Sequence, residues 1–441
     1  MWIEKSKTHR EKFQKLLEYS QKHPEKIKII NGVRVCFDDE FLIGYGAGGT
    51  CIYIGLTEDG YEKAVKRIIK SGNLKKLAET EKMILNTPNT VNSKHVINYW
   101  FYDVQSDSNF AFLVLDLHEE TLSDYVKAQS QEILTTNAPV ITRQILEGLN
   151  DLHGTKQPIL HRDLKPSNIL RNVQGDWILA DFGISRTLPE GISTYKSEES
   201  GTTFWRAVES YPPVENSNDK SDNKSTKSDN ISRYKKQSDI QVAGMVIFYI
   251  LTKGKHPFGS DIDCVRNLRG GNPVGMGNVA DPVAKDFIFW LLQHNPEDRP
   301  YAHEALKHPY LQSPDQQFEL LKCVGNEIEI KAGDAPCNVV NEIDTDPLLP
   351  TLGWTSQIRA DVLRYLCRKR PYRNKWTQCL RFIRNTAVHW KDQTPPPTIQ
   401  NEVGEPHEYF LKIFPTLAVA VHRVIRNKED WKQRKDLRKF F

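Results

Sequence analysis

Residues 161–168 read HRDLKPSN and residues 180–183 read ADFG. No other feature of the chain restricts its possible folds as tightly. Each polar member of the pair of motifs has a chemical use. The carboxylate of Asp163 can accept the proton of an attacking hydroxyl, and Lys165 can offset charge on a phosphoryl group in transfer. Asn168 and Asp181 are oxygen ligands of the kind magnesium takes. Eight positions in this order, then Asp-Phe-Gly after a single hairpin, leave little room for coincidence.

Two upstream motifs fit the same chemistry. GYGAGGT places Gly44, Gly46 and Gly49 between the strand-like runs FLI and CIYIG. A glycine hairpin between strands lets backbone N–H groups approach phosphate oxygens. A dinucleotide-binding fold would need a helix to follow. Taken alone, the motif reads equally well as a tight turn. About 20 residues later, AVK ends at Lys66 on the next strand. A lysine there reaches phosphates if a carboxylate holds it. Glu81 in AETEKMIL is the first candidate and Glu79 the second. Together these stretches resemble the eukaryotic protein kinases, over about 270 residues.

The resemblance implies ATP or ADP and Mg2+ as cofactors, with Asp116 to His118 as the hinge that contacts adenine. It also implies an activation segment from Asp181 to Glu209, although GTTFWRAVE has Val208 where proline is usual. Glu209 is expected to pair with Arg299 of NPEDRP, and Asp239 to open the following helix. Cys51 stands where a valine normally covers the base. Ser193, Thr194, Tyr195, Ser197, Ser200, Thr202 and Thr203 put hydroxyls in the segment. A phosphate among them would be expected to order the loop against Arg162.

Composition bounds the rest. The 441 residues carry seven scattered cysteines with no CxxC pair. That pattern predicts reduced thiols rather than disulfides or zinc. No run approaches 18 apolar residues, so no membrane span is expected, and the N-terminus lacks the apolar core of a signal peptide. The net charge is +4, but residues 351–441 hold 19 Lys/Arg against 8 Asp/Glu, which leaves about −7 for the remainder. A basic end points to an acidic partner such as nucleic acid or lipid headgroups, or else to a solvated surface. Residues 1–37 read as a charged helix and a connector, 38–312 as the kinase-like region, and 313–441 as a mixed connector followed by a compact helical unit. The polar stretch 212–236 is too poor in apolar residues to offset its ordering entropy and is expected to be a disordered insertion.

Within the basic end, KWTQCLRFIRNTAVHW (375–390) has helical spacing. Trp376, Leu380, Ile383, Ala387 and Trp390 make an apolar face, Arg381, Asn385 and His389 lie opposite, and Arg384 sits on the flank. Histidine can shuttle a proton near neutral pH and arginine can stabilise a crowded phosphate. Tyr372 lies just upstream as a second proton-transfer group. By spacing alone this is most often mere surface.

The blocks RPYAHEALKHPYLQSPDQQFELLKCVGNEIE, RFIRNTAVHW and EYFLKIFPTLAVAVHRVI, joined to a kinase, resemble the kinase-extension nucleases. These are the inositol-requiring stress-sensor kinase-endoribonuclease of the endoplasmic reticulum and ribonuclease L. The resemblance assigns nuclease roles to Tyr372, Arg384, Asn385 and His389. It implies metal-independent RNA cleavage to a 2′,3′-cyclic phosphate by a homodimer or higher oligomer assembled when nucleotide occupies the kinase site. The expected fold is α+β, a bilobal kinase followed by a small all-α nuclease domain. The expected function is a dual Ser/Thr kinase and endoribonuclease that acts on RNA and phosphorylates itself, as in the unfolded protein response. Its expected location is cytoplasmic, or the cytosolic face of the endoplasmic reticulum if the chain is a fragment of an anchored sensor. Two alternatives stay open: a ribonuclease L-like nuclease governed by a nucleotide-binding pseudokinase, and a plain kinase whose C-terminal helices dock a partner.

Overall fold

The computed structural model describes residues 2–46, 49–154, 156–197, 201–212, 232–332, 337–368, 371–392 and 394–441. The chain divides into two compact units, one of Met1–Asn278 with Ile288–His303 and one of Val279–Phe287 with Glu304–Phe441.

The first unit begins with a helix α1 (Arg10–Lys22) and a sheet of β1 (Lys28–Ile30), β2 (Val33–Val35), β3 (Leu42–Tyr45), β4 (Cys51–Thr57), β5 (Glu62–Ile69), β6 (Tyr99–Asp103) and β7 (Phe110–Asp116). The order is β1-β2-β4-β5-β7-β6, with β3 also on β4, and all pairs are antiparallel. Alternation sorts the sheet faces. Tyr53, Val65, Phe112 and Val114 go to a core closed by Phe13 and Leu16 of α1. Residues 28–35, expected to be a connector, instead form the hairpin β1–β2. Asn31 and Gly32 take φ of 45° and 79°, which is the turn that Asn-Gly makes between strands. That dipeptide carried the signal, and the charged helix before it masked it.

After the helix α2 (Gly72–Leu85) and the sheet comes β8 (His118–Thr121), which pairs with Ile169–Asn172. Two long helices, Gln131–His153 and Lys236–Leu251, carry the helical lobe. The second is buried on almost every side, as expected of a helix that is apolar all round. The expected disordered insertion ran to residue 236, and its span 213–231 lies outside the described residues. Its end is ordered, contrary to expectation: Ser232–Tyr234 pairs antiparallel with Tyr195–Ser197. Tyr234 is buried and its hydroxyl donates to Asp239 at 3.0 Å. One buried tyrosine with a charge-assisted bond anchors a stretch whose average composition is too polar to fold.

The second unit is helical, with a core around Trp354, Phe382, Phe410, Leu417 and Trp431. Its central helix, Trp376–His389, crosses the helix Pro314–Gly325 so closely that a Cβ on Gly325 would lie 2.4 Å from the carbonyl oxygen of Leu380. The latter helix starts with a capping box of Ser313 and Gln316. The apolar face of the central helix is turned from the expected one. Phe382 and Cys379 are buried beside Trp376, Leu380 and Ile383, while Ala387 and Trp390 are only half-buried. The ring of Phe382 is drawn in by Trp354 at 4.8 Å and Phe410 at 5.6 Å. A buried ionic network also sits in this unit: Asp286 accepts from His308 and Arg426, and Arg423 donates to Asp346. Among the described residues no helix is long and apolar enough to cross a membrane.

Candidate active sites

In the first unit the sheet delivers Lys66. It lies on β5 opposite Ile52 and Leu113, and its Nζ donates to Glu81 of α2 at 2.7 Å and to Asp181 at 3.5 Å. Burial works against the lysine charge, but the Asp181 and Glu81 carboxylates outweigh it and hold the ammonium above the usual lysine range. Lys66 in turn keeps the Asp181 carboxyl below the usual aspartate range. Glu79, the other candidate partner, is on the exposed side of α2, 3.9 Å from Lys75. Gly46 donates its N–H to the Thr50 carbonyl at 2.8 Å, closing the β3–β4 turn, and Gly49 takes φ +82°. Gly44 sits in β3 at an irregularity in its pairing with β4.

The loop that carries Asp163 is fixed from beneath. The backbone N–H groups of His161 and Arg162 each donate to Asp239 at 3.0 Å, and His153 Nε2 lies 2.9 Å from it. Asp239 is fully buried; its burial is outweighed by these donors, so its carboxyl stays below the usual range. Arg162 and Asp181 take φ of 68° and 67°, conformations that L residues hold only when the surroundings enforce them. Phe182 is buried against the His161 ring, 4.8 Å between centroids.

Asp163 emerges from this base with both oxygens engaged. Oδ1 accepts from the Thr202 N–H at 3.1 Å and hydroxyl at 2.7 Å, and Oδ2 from Lys165 at 2.8 Å and Asn168 at 3.0 Å. Lys165 also donates to the Thr202 hydroxyl at 2.7 Å. Since Asn168 spends its amide N–H on Asp163, its amide oxygen is left for a cation. Two oxygen donors, Asn168 and Asp181, match the way magnesium is held, by one or two protein oxygens with substrate phosphates and water completing the shell.

At the hinge, the Asp116 carboxylate is taken by Lys63 at 2.9 Å, Asn98 at 3.0 Å and Trp100 at 2.6 Å. Any contact from Asp116 to a base therefore runs through its main chain. His118 Nδ1 lies 3.0 Å from the Asp116 carbonyl, and burial pushes its imidazole down to about 4. Further on, Arg299 grips Glu209 through two bonds of 2.8 and 3.0 Å, as the sequence led one to expect. The Arg162 guanidinium donates to the Ile184 carbonyl and lies 5.0 Å from the Tyr195 ring. Ser200 is outside the described residues.

In the second unit three of the four expected residues form a chain. Asn385 Nδ2 donates to the Tyr372 hydroxyl at 2.8 Å, and Arg384 donates to Asn385 Oδ1 at 2.9 Å. Tyr372 is seated by Phe382 and Trp354 at 5.4 and 6.4 Å. His389, one turn past Asn385, does not join this chain. It ends the helix, its side chain is 56% exposed, and Nδ1 lies 3.5 Å from Asp392. The sequence alone did not single out Thr202 as the partner of Asp163, nor His153, Tyr234 or Asp392 at all. Thr202 and His153 are distant in sequence from the groups they support, and Tyr234, five residues before Asp239, lies in a stretch too polar to suggest a buried ring. Asp392 carried only an i, i+3 spacing common on any surface.

The protein kinase domain family matches residues 37–311, and the ribonuclease 2-5A family matches residues 317–441. The serine/threonine-protein kinase/endoribonuclease of Caenorhabditis elegans is 29% identical over 420 residues, covering 89% of this chain and 39% of the relative. A sensor for unfolded proteins in the ER from Schizosaccharomyces pombe is 27% identical over 88% of this chain and 37% of its own length. A human serine/threonine-protein kinase/endoribonuclease is 26% identical over 92% and 42%. This chain thus spans about two fifths of the length of these relatives. The chain belongs to the protein kinases and, by the ribonuclease 2-5A module after its kinase domain, to the kinase-extension nucleases.

Proposed function

We propose that the chain is a dual enzyme: a Ser/Thr protein kinase that phosphorylates itself, and a metal-independent endoribonuclease whose activity depends on nucleotide and self-association. The observation that carries the kinase half is the Asp163 carboxylate, held by Thr202, Lys165 and Asn168 within the unit that also builds the Lys66–Glu81–Asp181 cluster. In this reading the glycines 44, 46 and 49 and Lys66 hold the phosphates of ATP, and the main chain of Asp116 to His118 holds the adenine. Asn168 and Asp181 would hold magnesium, which neutralises phosphate charge when bound. Asp163 takes the proton of a Ser or Thr hydroxyl as its oxygen attacks the terminal phosphorus, the bond from that phosphorus to the bridging oxygen breaks and ADP leaves, and Lys165 offsets the charge on the phosphoryl oxygens in transfer.

On the RNA side, the ribose 2′-oxygen attacks phosphorus and loses its proton, while the P–O5′ bond breaks and O5′ gains one. His389 and Tyr372 serve as the two proton-transfer groups, and Arg384 and Asn385 stabilise the phosphate. Support comes from the bonds that link Tyr372 to Asn385 and Arg384 on the helix that ends at His389. The residue roles, the unfolded-protein-response setting, the domain limits at 37/38 and 312/313, and the cytosolic location belong to the same proposal.

The test uses the full chain with a stem-loop RNA, with and without ADP and magnesium, across protein concentrations. Cleavage that rises steeply with both concentration and nucleotide is the expected result. Phosphate incorporation from ATP, lost in Asp163→Ala, checks the kinase half. Incorporation absent from the wild type would leave only a nucleotide-binding scaffold.

A further inference from the structure

His389 lacks the support that a proton-transferring imidazole normally has. Its neighbour in the proposed site, Asn385, gives Nδ2 to the Tyr372 hydroxyl and accepts one Arg384 N–H at Oδ1. Among the described residues, Asp392 is the carboxylate found beside the His389 ring. Directly after the helix the chain turns back, with the Asp392 N–H donating to the His389 carbonyl at 3.2 Å. This turn brings the Asp392 carboxylate to 3.5 Å from His389 Nδ1. Between the two, Trp390 is half-buried and packs on the core of the unit, so the turn is anchored rather than free. The helix ends at His389.

We infer that Asp392 is a positioning residue for His389: it accepts the Nδ1–H, fixes the ring and its tautomer, and leaves Nε2 as the nitrogen that exchanges a proton with RNA. The nitrogen that carries the proton in a neutral imidazole is set by the bond the other one makes. The same logic orders a nucleophile, a base and an orienting carboxylate in hydrolytic triads. At 3.5 Å the contact is an ion-pair distance that tightens to a hydrogen bond as the substrate phosphate closes over the ring. Asp392 takes no proton in the reaction and touches no reacting atom.

The inference rests on the ribonucleolytic reading of the second unit, and the test separates the two. RNA cleavage by the full chain with ADP and magnesium is compared among wild type, His389→Ala, Asp392→Ala and Asp392→Glu. The expected result is a kcat about tenfold lower in Asp392→Ala with KM unchanged, well short of the ~10⁴-fold loss seen for a buried orienting carboxylate. Asp392→Glu should recover most of the rate, and thermal unfolding should not move. In nitrogen NMR of histidine-labelled full chain, the His389 signal, assigned by its absence from His389→Ala, should show the Nδ1–H form in wild type and shift toward Nε2–H in Asp392→Ala. Wild-type cleavage by Asp392→Ala, no recovery with glutamate, or an unchanged His389 signal each overturns the inference. If His389→Ala itself cleaves like wild type, the ribonuclease reading falls first and takes this one with it.

Discussion

Asp163 and His389, the two proposed proton-transfer groups, are built in two different ways. Asp163 is 8% exposed and its carboxylate accepts from Thr202, Lys165 and Asn168. Its loop hangs from a buried aspartate, Asp239. His389 ends a helix in solvent and meets one carboxylate at 3.5 Å. Taking charges out of water is costly unless each is paired, so the first site is complete only because the fold supplies every partner. The second puts its histidine on a face that the fold leaves open. Under the proposed function, such a site is finished by the RNA or by a second copy of the chain. The contrast fits a proposed division of labour in which the first unit holds a fixed state and the second responds.

The largest effects should come from the proton-transfer groups themselves. His389→Ala is expected to lower RNA cleavage by about 10²–10⁴-fold and to leave urea unfolding within about 0.5 kcal/mol of wild type, as for other exposed positions. A large drop in stability would break the contrast. Asp239→Ala should do the reverse of what His389→Ala does. It leaves two backbone N–H groups, Tyr234 and His153 without their acceptor, at a cost of about 3–5 kcal/mol, read by urea unfolding and accompanied by loss of phosphotransfer.

A third expectation concerns acid. Burial pushes His308 down to about 4, against an ordinary value near 6.5. The unfolded chain therefore takes up this proton first. The stability is fully present above about pH 6.5 and declines as pH falls toward 4. At pH 5 the loss from this residue alone is about 2 kcal/mol. Unfolding measured at pH 7 and pH 5 should show a difference that His308→Gln reduces and His389→Ala does not. The smallest effect is expected from Asn385→Ala. It removes the hydrogen bonds to Tyr372 and from Arg384 and should slow RNA cleavage about tenfold, measured under single-turnover conditions.

How much of this could be read from residues alone depends on how local each signal is. HRDLKPSN and ADFG are contiguous, and the structure brings Asp163, Lys165, Asn168, Lys66, Glu81 and Asp181 into one unit with the contacts described. Glu81 ranks above Glu79 in the sequence, and in the structure it is Glu81 that meets Lys66 while Glu79 lies on the exposed side of α2. Tyr234 was hidden inside a polar stretch whose mean composition says nothing about one buried ring. The turned face of the helix Trp376–His389 depended on Trp354 and Phe410, far away in sequence, drawing Phe382 inward. The Asn31–Gly32 turn is a local hairpin signal, but the two strands of three residues lie below the length at which alternation stands out.

The pairing of Tyr195–Ser197 with Ser232–Tyr234 has a practical side. In the first unit, the chain up to residue 212, including the loop of Asp163, meets the chain from residue 232 onward through contacts that do not pass along the backbone between them. These include this strand pair, the Asp239 bonds and the Arg299–Glu209 grip. A chain severed between Pro212 and Ser232 should therefore hold together as a complex of two polypeptides. Co-expressed halves split there offer a way to switch phosphotransfer on by mixing, with the catalytic loop supplied by one half and its anchor by the other.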